Sequence, residues 1–135
     1  MRVKTLTLIT GLLGISGVAL GAFGAHALKT HLATTGHTGT WETAVLYHLI
    51  HTAALFALIS SYKNNIHATS QRLSNATAWC WISGITLFSG SLYFLSLGGP
   101  RWLGPITPLG GLALILGWGC VLAQGLKSSK VSENP

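Results

Sequence analysis

The residues with the widest chemical repertoire in this chain are two histidines inside one apolar stretch. His48 and His51 lie three residues apart, and Tyr47 precedes His51 by four, so a helix would make their side chains neighbours. Histidine can ligate a metal or a haem iron, transfer protons near neutral pH, or hydrogen-bond to an adjacent helix. The spacing marks a candidate site for one of these three roles.

Polar residues occur at a corresponding depth in the other three apolar stretches of the chain. If these stretches cross a membrane, ionisable groups within them are costly and are candidate functional residues by default. We therefore predict one polar cluster in the outer leaflet, and we expect His26 and His51 to share a hydrogen-bonded pocket. The predicted members are His26, Tyr47, His48, His51, Ser91, Tyr93 and Thr107.

Simpler roles compete with chemistry at these positions. His26 and His51 can serve as hydrogen-bonding contacts between helices, and Glu42 can complement the dipole in the first turn of a helix. Cys80 and Cys120 fall at a different depth, and the chain contains no aspartate. We therefore assign no catalytic residue and no metal ligand. Haem ligation by two histidines on facing helices stays open.

Four uncharged stretches must position these residues. Each has about the 20 predominantly apolar residues that a transmembrane helix needs. Only 7% of the 135 residues are charged, against about 25% in soluble domains. The sequence predicts an all-α fold, an integral membrane bundle of four transmembrane helices in a single domain over residues 1–135. The predicted spans are Leu6–Leu28, Thr43–Ser61, Ala76–Leu97 and Ile106–Leu126.

The distribution of basic residues predicts the orientation of the bundle. Four spans put both termini on one side, where six of the eight basic residues fall, while Lys29 and Arg101 fall on the other. Positive residues favour the cytoplasm, so we expect both termini inside. The net charge of +6 then reflects topology and contact with anionic lipid rather than nucleic-acid binding. The six residues are Arg2, Lys4, Lys63, Arg72, Lys127 and Lys130.

The remaining signals concern the first two spans. A ladder of glycines on one face of the first span predicts close helix packing. The sequence leaves open whether its partner is a helix of the same chain or of a second copy. The polar connection Lys29–Thr40 is expected to be an outer, turn-rich loop, with Thr40 as N-cap of the second helix and Trp41 at the membrane interface. The ladder comprises Gly14, Gly17, Gly21 and Gly24.

Four short motifs give the chain a family resemblance. They are Gly21–His26, Tyr47–His51, Leu87–Tyr93, and Thr107–Gly111 with Gly117 and Trp118. In this order they resemble an uncharacterised family of small membrane proteins that includes YgdD and YwdK of bacterial inner membranes and a eukaryotic transmembrane branch. The resemblance implies a four-helix membrane protein of unassigned function. Its pattern includes histidines matched by His26 and His51, but not His48 throughout.

Three functional hypotheses follow. The first is a non-enzymatic component of the bacterial inner membrane, either an accessory of a complex or a binder of a lipid-like ligand. The second is a small transporter or channel in which His26 and His51 titrate. The third is a haem-binding redox module. The expected partners are membrane lipid and either further copies of the chain or a larger membrane complex, with no nucleic acid and no assigned cofactor.

Overall fold

The described residues of the chain form five α-helices, four of which are long and apolar enough to cross a membrane. A computed structural model describes the backbone of residues 1–64 and 68–131, and the side chains of residues 1–60 and 71–127. The predicted all-α class and the four spans are confirmed. The helices are α1 (Val3–Ala25), α2 (Lys29–Thr35), α3 (Thr38–Asn64), α4 (Ala68–Ser96) and α5 (Ile106–Val131), with a 3₁₀ turn at Arg101–Leu103 before α5.

The connection after the first span differs from the predicted loop. Lys29–Thr35 forms α2, and α3 begins at Thr38, so Thr40 lies inside that helix and does not cap it. Polar residues near a membrane surface can continue a helix, because their backbone groups still gain the internal hydrogen bonds that lipid demands. Hydropathy alone therefore placed the start of this span too late.

Two glycines allow the chain to reverse direction. Gly36 has φ of 72° after α2, where the His37 amide donates to the Leu32 carbonyl at 2.9 Å. Gly98 has φ of 82° after α4, where the Gly99 amide donates to the carbonyl of Phe94 at 2.8 Å. Both are left-handed helix caps, a conformation in which any other side chain would be strained.

The spans pack in sequence order, with α1 on α3, α3 on α4, and α4 on α5. At the end of the bundle near the N-terminus, Leu6, Leu55 and Trp81 belong to one buried cluster. At the opposite end, which we call the α2 end, Leu32, Trp41 and Tyr93 belong to a second. Trp41, in the first turn of α3, is only 3% exposed, so its side chain packs inside the protein.

The outer surface of α1 and α5 is strongly apolar. Only 17% of the most apolar window of each helix is buried inside the bundle. Large side chains such as Ile15 and Ile115 are 71% and 67% exposed. Exposure of so large an apolar surface to water is unfavourable, whereas its contact with lipid tails is not. These faces therefore fit contact with the bilayer.

Candidate functional site

The predicted glycine ladder lies against α3 of the same chain. A Cβ at Gly17 would lie 2.7 Å from Cδ2 of Leu49, and one at Gly21 would lie 3.3 Å from Cγ1 of Val45, whereas Gly11 has open space. The missing side chains let the two helix backbones approach closely. From Gly14 to Gly24, the facing residues on α3 are Thr52, Leu49, Val45 and Trp41.

His48 is the centre of the first polar contact among the spans. It is buried, and its Nδ1 lies 3.3 Å from the Tyr93 hydroxyl while its Nε2 lies 3.5 Å from Ser16 Oγ. Ser16 also donates to the Leu12 carbonyl at 2.9 Å. Every proton finds an acceptor if the tyrosine donates to Nδ1 and the ring donates from Nε2 to the serine. His48 thereby joins α1, α3 and α4.

His51 makes a separate contact that reaches α5. Its Nδ1 lies 2.8 Å from the Tyr47 carbonyl, and the indole N–H of Trp118 donates to its Nε2 over 3.2 Å. A carbonyl only accepts and an indole N–H only donates, so both bonds require the neutral ring with its proton on Nδ1. Trp81 packs beside this pair, with its ring centre 4.8 Å from that of Trp118.

The remaining predicted residues form contacts of their own. Ser91 Oγ lies 2.7 Å from Thr107 Oγ1, which joins α4 to the first turn of α5. Tyr47 is 40% exposed, and its ring packs 4.7 Å from that of Phe88. The polar residues predicted as one cluster are therefore divided among several separate contacts.

The expected pocket shared by His26 and His51 needs correction. His26 is exposed at the C-cap of α1, and no hydrogen bond within the described part of the chain joins its side chain to His51. Thr52 faces Gly14, at the middle of α1. His26 lies twelve residues beyond Gly14, or roughly 18 Å along a helix. His51 lies near the middle of α3, as its central place in the predicted span Thr43–Ser61 already indicates, whereas His26 lies at the end of α1.

This geometry does not suit haem ligation by His26 and His51. An iron ligand needs a free ring-nitrogen lone pair, and the Nε2 lone pair of His51 already accepts the Trp118 N–H. The separation of the two histidines along α1 and α3 adds to the mismatch. Within residues 1–60 and 71–127, no group of three or more histidines, cysteines or carboxylates is placed to hold a metal ion.

Sequence reasoning missed a polar contact between α4 and α5. Gln124 Oε1 accepts from Ser74 Oγ at 3.3 Å, and its Nε2 donates to Thr77 Oγ1 at 3.4 Å. A glutamine inside an apolar span was the available signal, because amides in membranes pair across helices. Trp118 was also missed as a hydrogen-bond partner of His51, because tryptophan is common at membrane interfaces and carries no signal of its own for such a contact.

A groove of about 620 Å³ lies between α1, α2 and α3 at the α2 end. Gly21 and Gly24 line its α1 side, where the absence of side chains leaves space beside the helix backbone. Leu32 and Ala33 contribute from α2. Apolar side chains of α3 continue the groove towards the middle of the membrane, and these are Val45, Leu46, Leu49 and Ile50.

The charged residues of the groove lie at one end. Lys29 at the start of α2 and Glu42 on α3 both line it, and both are exposed. The groove thus combines a charged mouth with an apolar interior, which is the distribution of polarity in an amphiphile. Ile50 is two turns of helix below Glu42, a distance of roughly 12 Å. One leaflet of hydrocarbon is roughly 15 Å deep.

Comparisons with known proteins agree with this architecture. A family model described as a protein of unknown function (DUF423) matches residues 20–111. The UPF0382 membrane protein YwdK of Bacillus subtilis is 35% identical over 126 residues, which cover 92% of this chain and 98% of that protein.

Other relatives extend the range of organisms. A UPF0382 membrane protein of Haemophilus influenzae is 40% identical over 131 residues, covering 96% of this chain and 98% of its own. A UPF0382 membrane protein of Schizosaccharomyces pombe is 34% identical over 119 residues, which cover 84% of this chain and 95% of that protein. No solved structure matches the chain. The resemblance drawn from the four motifs is confirmed, and the chain is a multi-pass membrane protein that belongs to the DUF423 family.

Proposed function

We propose that this protein is a non-enzymatic membrane component that binds one lipid-like amphiphile in the groove between α1, α2 and α3. The observation that carries the proposal is the groove itself, which is charged at its mouth and apolar towards the membrane interior. Its apolar part lies along exposed residues such as Leu46 and Ile50, which are 55% and 50% exposed. A lipid of the surrounding bilayer therefore has direct access.

The polar contacts of the bundle support a structural role for its buried histidines. Both ring nitrogens of His48 and of His51 lie within hydrogen-bonding distance of protein groups on other turns or helices. A transport path that uses His26 and His51 would need proton transfer across roughly 18 Å between them. The binding of a lipid-like ligand requires no such transfer.

We further propose the bacterial inner membrane as the location, with both termini in the cytoplasm. The bacterial relatives are named as membrane proteins, and the basic residues favour the side of the termini. The groove then opens into the outer leaflet.

Native mass spectrometry tests the lipid site. The wild-type protein, extracted in mild detergent, should retain one phospholipid per chain when mixed with palmitoyl-oleoyl phospholipids. Ala33→Trp should reduce the bound fraction at least about tenfold, because the indole would fill the groove and exclude the chain. Ala33 is exposed on α2, so the change alters no buried packing.

Thr30→Trp is the matched control, since Thr30 is exposed on the same helix and does not line the groove. It should retain lipid as the wild type does. Equal lipid retention by Ala33→Trp would contradict the proposal. So would a lipid-free dimer that dissociates on this change, because the groove would then be an interface between two copies.

A further inference from the structure

We infer that the groove selects a phospholipid with a primary ammonium in its headgroup, of the phosphoethanolamine class. The inference rests on the proposed function and adds the chemistry of the ligand. It is carried by the two charged residues at the mouth of the groove, Lys29 and Glu42.

The charge of Glu42 is unusual in this protein. The chain has two acidic residues against eight basic ones, and Glu42 alone lies within residues 1–131. No ion pair joins its carboxylate to Lys29 or to another cation of the described residues, although both residues line one groove. A cation and an anion are thus both presented to whatever occupies the groove.

A zwitterionic headgroup complements this pair of charges. The Lys29 ammonium can bind the phosphate, and the Glu42 carboxylate can accept from the headgroup ammonium. A phosphatidylglycerol headgroup has the same phosphate but no ammonium, so it offers no cation to Glu42 and leaves the phosphate charge uncompensated near that carboxylate. The charge pattern therefore favours a zwitterion over an anionic lipid.

The same residues favour ethanolamine over choline. A primary ammonium has three N–H donors for a carboxylate, whereas a quaternary ammonium has none. Choline sites rely on open aromatic faces. The aromatic residue of this groove is Trp41, whose indole is 3% exposed and packs on Tyr93 with ring centres 4.8 Å apart. Its faces are not open to a choline group.

Competition between headgroups tests the inference. Purified protein is mixed with equal amounts of palmitoyl-oleoyl phosphatidylethanolamine, phosphatidylglycerol and phosphatidylcholine, and the bound species are counted by native mass spectrometry. The wild type should prefer phosphatidylethanolamine about two- to fivefold, the effect of one exposed ion pair. Glu42→Gln should bring this ratio close to one. Lys29→Gln should weaken phosphatidylethanolamine and phosphatidylglycerol alike, through the phosphate.

Arg101→Gln is the control, because Arg101 is an exposed cation of the connection between α4 and α5 and lies outside the groove. It should keep the wild-type ratio. If Glu42→Gln keeps that ratio while Ala33→Trp still empties the groove, the headgroup inference is overturned and the lipid site stands. If Ala33→Trp binds the same lipids as the wild type, the site itself is wrong.

Discussion

At the scale of single residues, His51 shows how a buried polar group is accommodated in this bundle. Its two ring nitrogens have opposite roles, one donating to the Tyr47 carbonyl and one accepting from Trp118. An unsatisfied polar group in hydrocarbon costs roughly several kcal/mol. Removal of either His51 or Trp118 would therefore leave the other side chain with an unpaired polar group. The contact also joins α3 to α5, which are not consecutive neighbours in the packing order.

A double-mutant cycle measures this contact. His51→Phe and Trp118→Phe should each destabilise the protein, because each leaves one partner without its hydrogen bond. The double variant should lose less free energy of unfolding than the two single variants lose together. The difference should be about 0.6 kcal/mol, which is typical of hydrogen bonds between membrane helices. Denaturant unfolding in detergent micelles gives the four free energies.

Trp102→Phe is a matched control for the loss of an indole, since Trp102 is 66% exposed. It should change the free energy of unfolding by no more than about 0.5 kcal/mol. Strict additivity of His51→Phe and Trp118→Phe would show that the two side chains do not interact.

At the scale of helices, the spans pair as two antiparallel hairpins, α1 with α3 and α4 with α5, and both contain the same kind of contact. In each, an indole lies against a glycine, Trp41 on Gly24 of α1 and Trp81 on Gly117 of α5. The indole N–H of Trp41 donates to the Leu20 carbonyl at 3.0 Å, four residues before its glycine. Gly24 thus both admits the ring of Trp41 and leaves the Leu20 carbonyl accessible to its N–H, whereas the buried indole nitrogen of Trp81 has no such partner in the described part of the chain.

Substitution of the ladder glycines tests the α1–α3 contact. Gly17→Leu and Gly24→Leu should each destabilise the protein by about 1–3 kcal/mol, because the new side chains would collide with Leu49 or Trp41. Thermal unfolding followed by circular dichroism in detergent provides the measurement.

Gly11→Leu is the control on the same helix, because nothing lies within 4 Å of a Cβ at that position. It should leave the melting temperature nearly unchanged. A melting temperature lowered equally by all three substitutions would indicate an effect on α1 itself and contradict the packing argument.

At the scale of the whole molecule, the bundle has an interior of mixed apolar and polar side chains and an apolar exterior on α1 and α5. Buried Thr10, Ser89 and Ser96 lie inside, whereas the large exposed hydrophobic side chains of α1 and α5 are mostly aliphatic. The apolar exterior distinguishes this bundle from a soluble protein, because its surface meets lipid tails instead of water. Four spans also place the two termini on the same side.

Reporter fusions test the orientation of the bundle. A reporter that is active only in the cytoplasm should be active at the C-terminus and inactive in α2, because six basic residues lie on the side of the termini. Replacing Arg2 and Lys4 by glutamine should reduce the fraction of correctly oriented chains. An inactive C-terminal fusion, with activity in α2, would contradict the predicted topology.

Much of the fold could be predicted from the sequence, and less of the polar network. The spans were found because their apolar length matches the bilayer, and the glycine ladder because its spacing places it on one face. The pairing of His48 with Tyr93 and of His51 with Trp118 was not foreseen. A side-chain contact between two helices depends on how each helix is rotated about its axis and how deep it lies in the membrane. The hydropathy of the sequence gives neither quantity.

The sequence by itself determined that the protein lies in a membrane, that it has four spans, and that one face of α1 is lined with glycines. These features depend on composition and on residue spacing along one helix. The tertiary structure decided which helix covers that face, that His26 lies far from His51, and that Trp41 is buried on Gly24. It alone produced the groove with Lys29 and Glu42 at one mouth. Lys29 and Glu42 lie on different helices, and only the packing of α1, α2 and α3 brings them to one groove.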